Sequence, residues 1–163
     1  MMRTVTMRVW SRGRRVIRCL ADDRGLLISA LALVSAIRLG LWVFPVRTVG
    51  HVLGRFVPRV PGNALDPSVP GRVARAVARG SRVVPDASCL TQALAAQVLL
   101  ERHGLPTRLH IGVVRDSGHA VRAHAWVESR GVTVIGGATS GGWSPLLTVE
   151  GARTWLTHTG RPS

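Results

Sequence analysis

The run from Leu26 to Phe44, LLISALALVSAIRLGLWVF, holds one charged residue, Arg38, and it constrains the chain more than any other segment. A stretch of this length and apolarity has three possible fates. It can cross a bilayer, because about 20 apolar residues span the hydrocarbon core. It can serve as a removable export signal, since Arg14 and Arg15 precede it and Val34-Ser35-Ala36 has the small-x-small form of a cleavage site. It can also pack as a helix of a small soluble domain. Arg38 inside the run, and Asp22 and Asp23 on its flank, are costly in lipid and interrupt the basic flank of a signal. The expectation is therefore a packed helix; a membrane-anchored or exported basic protein is kept as an alternative.

Residues 1–25 are rich in arginine, and residues 45–70 are rich in Pro, Gly and Arg, which reads as a connector with one short helix around Val49–Phe56. In GRVARAVARG, Val73, Ala76 and Val77 fall on one side and arginines on the other, as in a short amphipathic helix. At 163 residues the chain is of single-domain size. The division expected is a basic and apolar helical region over 1–80 and an ordered core over 81–163, forming one compact unit.

The 22 basic side chains are all arginine and outnumber 8 acidic ones, for a net charge of +14. Abundant Ala, Gly, Val and Pro beside them points to compositional bias, although the positive field attracts polyanions whatever its origin. No helix-turn-helix, zinc-ligand or aromatic stacking pattern accompanies the charge, so no nucleic-acid role is expected. Cys19 and Cys89 form neither a disulfide framework nor a CxxC site, and a reduced, cytoplasmic setting is the simpler reading.

The second half carries the clearest signals. PDASCLTQALAAQVLLERHGLP predicts a helix that starts at Asp86 or Ser88 and stops at Gly104, with Leu90, Leu94 and Val98 as its buried stripe. Three strand-like runs follow, Thr107–Arg115, Val121–Ser129 and Val132–Gly136, joined by the tight turns DSGH and SRG. The expected class is α+β: one helix packed on a small antiparallel sheet, preceded by N-terminal helices.

Cys89 lies in the first turn of that helix, where unpaired N–H groups and the macrodipole favour a thiolate. The same N–H groups can stabilise an oxyanion formed when sulfur attacks a carbonyl. The plainer reading is a small cysteine filling a gap beside Leu90. A thiol nucleophile needs an imidazole, and six histidines compete. His51, His103, His119 and His158 sit in the connector, at a helix end, in a turn and near the C-terminus; His110 and His124 lie on strands. Alternation puts His124, Trp126 and Glu128 on one face and Ala123, Ala125 and Val127 on the other. Alone, a strand histidine is more often a satisfied core residue.

The stretch from Cys89 to Ser129 resembles a family. Cys-Leu-x-x-Ala-Leu at 89–94, Leu-Leu at 99–100, Gly-x-Pro at 104–106, Leu-His-x-Gly-Val at 109–113 and His-Ala-Trp-Val-Glu at 124–128 are similar, in that order, to transglutaminase-like leader peptidases of lasso-peptide biosynthesis, the protease half of the split "B" proteins. The resemblance implies a transglutaminase-like, papain-like core over 81–163, with Cys89 as nucleophile and His124 as its partner. It implies a cysteine endopeptidase that cuts a leader from a precursor peptide without metal or organic cofactor. Its implied partners are the precursor, a separate leader-recognition protein and an ATP-dependent macrolactam synthetase. The family triad closes with an aspartate on the next strand, whereas this chain has no Asp or Glu between Glu128 and Glu150. Glu128 lies about 13 Å along the strand from His124, which leaves Thr139, Ser140 or a backbone carbonyl to orient the ring. A non-catalytic scaffold that binds precursor and partner enzymes is the alternative this gap supports.

Overall fold

A computed structural model describes residues 5–57, 66–115, 121–137 and 143–156. Four helices precede and include the segment with Cys89: α1 (Val5–Val43), α2 (Val46–Arg55), α3 (Val69–Val83) and α4 (Cys89–Arg102). Four strands follow, β1 (Arg108–Arg115), β2 (Val121–Ser129), β3 (Val132–Ile135) and β4 (Ser144–Glu150), then a 3-10 turn over Ala152–Leu156. The α+β class is as expected.

The apolar run forms the C-terminal half of α1 and is buried along one face. Leu26, Ala30, Val34 and Ile37 recur at helical spacing and are enclosed, whereas Ile28, Leu39, Trp42 and Val43 are exposed. By length and composition Asp23–Val43 could also cross a membrane, a test that core helices and signal sequences pass as well. Pro45 ends α1, since its ring and missing N–H cannot continue the helix, and it begins α2 in extended geometry. α3 crosses α1 closely at Gly80, where an added Cβ would lie 3.3 Å from the Leu31 backbone. Two of the charges that argued against a membrane, Asp23 and Arg38, find partners on neighbouring elements. Asp23 pairs with Arg72 at 2.6 Å, and Arg38 reaches Asp86 at 3.5 Å and the Pro85 carbonyl at 3.4 Å.

Helix α4 is the centre of the molecule. α1 and α3 pack on it, and so do β1 and β2 from the other side. Thr91 and every residue from Ala93 to Leu100 are therefore buried, so the expected stripe of Leu90, Leu94 and Val98 is part of a helix enclosed nearly all round, with Leu90 half-buried. Three alanines, at 93, 95 and 96, permit that close packing.

The sheet order is β3-β2-β1-β4, antiparallel throughout. β1 and β2 pair in continuous register from Arg108↔Glu128 to Arg115↔Val121. β4 was not expected from the sequence: it returns to the far side of β1, with an irregularity at Ile111/Gly112. Glu101, near the end of α4, ties this edge down by accepting hydrogen bonds from the Thr107 hydroxyl and the Ala152 N–H.

Candidate active site

The chain between Pro85 and Cys89 is shaped to start a helix at the cysteine. Asp86 adopts a left-handed conformation (φ 55°) and turns the chain. Ser88 is the N-cap, with its Oγ accepting from the Thr91 N–H at 3.3 Å. The Gln92 amide donates to the Ala87 carbonyl at 3.3 Å and fastens the entry turn. Cys89 is thus the first residue of α4, a free and half-buried thiol. Its own N–H and that of Leu90 meet no acceptor among the described residues. Two donors therefore stand beside the sulfur at the positive end of a helix dipole.

His124 lies on β2, opposite Gly112 of β1. A short connection leads from α4 into β1, and His124 lies in the first half of β2. Ala125 and Val127 enter the core beside α4, as the alternation predicts, and the His124–Trp126–Glu128 face turns to the other side of the sheet. Among the described residues no hydrogen bond links Cys89 to His124.

The His124 ring is held by other groups. Its Nε2 hydrogen-bonds to the Gly136 carbonyl, the residue directly after β3. Trp126 is stacked beside it at 6.2 Å between ring centroids, and Trp143 leans against it at 5.2 Å. A backbone carbonyl was one of three orienting groups considered from sequence; Thr139 and Ser140 lie outside the described residues. Glu128 is occupied elsewhere, accepting from the Trp126 indole at 3.3 Å and facing His110 at 3.4 Å.

The other histidines serve local structure. His103 caps α4 through the Leu99 carbonyl at 2.8 Å, and His51 meets Arg55 at 3.3 Å. His110 stacks on Trp126 at 5.0 Å and bonds to Thr148 at 3.1 Å, so it belongs to the same aromatic row as His124. His119 and His158 are outside the described residues, as is the side chain of Cys19. What sequence reasoning missed is the tryptophan frame and Gly136: Trp143 follows a glycine-rich stretch that carries no strand signal.

Comparison with curated proteins and with solved structures gives no match. A family model, described as transglutaminase-like superfamily, matches residues 31–148. The match begins inside α1 and ends in β4, so it takes in Cys89, His124, all of β1 to β3 and most of β4. With more than two thirds of its length aligned to that model, the chain belongs to the transglutaminase-like superfamily, which includes cysteine peptidases.

Proposed function

We propose that this protein is a cysteine endopeptidase that removes the leader from a ribosomally made lasso-peptide precursor, with Cys89 as nucleophile and His124 as general base and acid. The observation that carries the reading is the place of Cys89, at the first position of a capped helix inside the family match. The order of motifs from Cys89 to Glu128 supports the narrower substrate class.

In this mechanism His124 accepts the thiol proton and the sulfur attacks the scissile carbonyl carbon. The oxyanion is met by the N–H groups of Cys89 and Leu90, which have no acceptor among the described residues. As the tetrahedral adduct collapses, the carbon–nitrogen bond breaks and the imidazolium gives its proton to the leaving amine. Water, deprotonated by the same imidazole, then hydrolyses the thioester and returns the thiol. The pairing requires the imidazole and the sulfur, which share no hydrogen bond among the described residues, to meet when substrate is bound. The step needs no metal or organic cofactor. A leader-recognition protein would deliver the precursor, and an ATP-dependent macrolactam synthetase would close the ring on the freed amine. Both reactions are cytoplasmic in this reading.

The test is direct. The purified protein, mixed with a precursor peptide and its leader-recognition protein, is expected to release a leader fragment seen by mass spectrometry. Cys89→Ala and His124→Ala are each expected to abolish it, and unchanged cleavage in either variant would sink the assignment. Neighbouring genes are expected to encode a short precursor and an asparagine-synthetase-like protein. The absent acid and the unjoined pair favour one second reading, a scaffold that binds precursor and partner enzymes. That reading predicts that the Cys89→Ala protein still binds the precursor and that the wild type cuts nothing.

A further inference from the structure

An imidazole that takes a proton from a thiol must present a bare nitrogen to it, so its other nitrogen must keep the hydrogen. A carboxylate usually enforces that choice; between Glu128 and Glu150 this chain has none. We propose that the main-chain carbonyl of Gly136 performs the task, fixing His124 as the Nε2–H tautomer and leaving Nδ1 to serve Cys89. The inference rests on the pairing of Cys89 with His124 proposed above, and adds a positioning group to it.

Three observations converge. The Nε2 atom hydrogen-bonds to the Gly136 oxygen, and a carbonyl accepts only, so the proton must sit on Nε2. Nδ1 has no hydrogen bond among the described residues, as a proton acceptor awaiting a thiol should. Position 136 is also built to bring its backbone this close. Its φ of +108° excludes side chains, and a Cβ there would lie 2.7 Å from Trp126 Cα and 2.9 Å from the Ala125 oxygen. The chain leaving β3 thus folds against β2 at a distance that only glycine permits, and this directs the carbonyl at the ring. Trp126 and Trp143 beside the imidazole restrict its rotation, so the hydrogen bond acts on a ring already framed. A neutral carbonyl fixes the tautomer but stabilises the imidazolium less than a carboxylate would.

The experiment is nitrogen NMR of the full-length protein labelled at histidine, at alkaline pH. The expected spectrum has Nε2 protonated and Nδ1 bare. A spectrum with the hydrogen on Nδ1 overturns the proposal without any variant being needed. A backbone ester tests the carbonyl itself: glycolic acid in place of Gly137 makes the Gly136 oxygen a weaker acceptor. The Gly137 N–H that is lost has no partner among the described residues. The Nε2–H to Nδ1–H ratio should fall by roughly two- to tenfold, the span of one ordinary hydrogen bond; an unchanged ratio overturns the assignment to Gly136. Iodoacetamide labelling at Cys89, read by mass spectrometry, separates this from failure of the pairing. If His124→Gln leaves the labelling rate of Cys89 unchanged while the tautomer is as expected, the pairing is what falls.

Discussion

Glu101 shows how one carboxylate can make stability depend on pH. Burial raises its pKa above the ordinary 4.5, against the lowering effects of the Thr107 hydroxyl, the Ala152 N–H and the charge of Arg153. The folded chain therefore holds this proton more tightly than the unfolded chain does. The stability it contributes is complete below the ordinary value and is lost as pH rises through the raised one. Glu101→Gln keeps an acceptor oxygen for both donors and removes the titration. The melting temperature of the wild type, relative to Glu101→Gln, is expected to fall as pH is raised from about 4 towards neutrality. A constant difference across that range would show that Glu101 is ionised in the fold without cost. The residues of the candidate site differ in how far a sequence can disclose them. The place of Cys89 at a helix start was legible because a capping serine and a following run of helix formers mark the same position. The group that holds His124 was not, because a backbone carbonyl has no residue type. The trace it leaves in the sequence is the Gly136–Gly137 pair after a short strand, a pattern that turns produce as often as sites do.

At the scale of elements, α4 makes the strongest prediction. Gln97 is fully buried in the middle of this helix, and neither its amide nitrogen nor its carbonyl oxygen has a partner among the described residues. Burying an amide without hydrogen bonds costs roughly 1–3 kcal/mol in proteins. Gln97→Met, similar in volume and flexible enough to fill the same space, is expected to stabilise the fold by about that much in urea unfolding. A loss of stability would reveal a polar partner for Gln97. The α1–α3 crossing predicts the opposite sign: Gly80→Leu must push α3 off the Leu31 backbone and should cost at least about 1–3 kcal/mol. Capping and stop signals marked α4, and periodicity disclosed α3 and three strands because each has one partner face. It did not disclose β4, where Pro145 follows a glycine-rich run and the pairing is with β1, more than 30 residues back. Long-range pairing is set by the unfilled edge of β1, which local pattern cannot show. Nor did periodicity show that α4 is enclosed on both sides, since that follows from α1 and α3 arriving from the first half of the chain.

Across the whole molecule, one cluster of buried side chains runs from Leu26 and Ile37 of α1, through Val73 and Val77 of α3 and Leu94 and Leu100 of α4, to Val149 of β4 and Trp155. Among the described residues, both the helical first half and the sheet contribute to this cluster. The boundary expected near residue 80 thus falls between two stretches whose described residues join one cluster. A shared core unfolds as a unit, because opening either half exposes the apolar surface of the other. Ile37→Ala on α1 and Leu109→Ala on β1 each empty a fully enclosed site and should cost about 2–5 kcal/mol. Hydrogen exchange gives the decisive reading. If the halves are one unit, Ile37→Ala should lower protection in the slowest amides of β1 and β2 by the same factor as in α4. Leu109→Ala should likewise deprotect the second half of α1. Protection lost only in the mutated half would instead establish two cooperative units, and α1 would then be free to leave the core for another apolar surface. Ile28, Leu39, Trp42 and Val43 stay exposed on α1 in the folded state, so the strength of this coupling decides whether the apolar run serves the domain or something outside it.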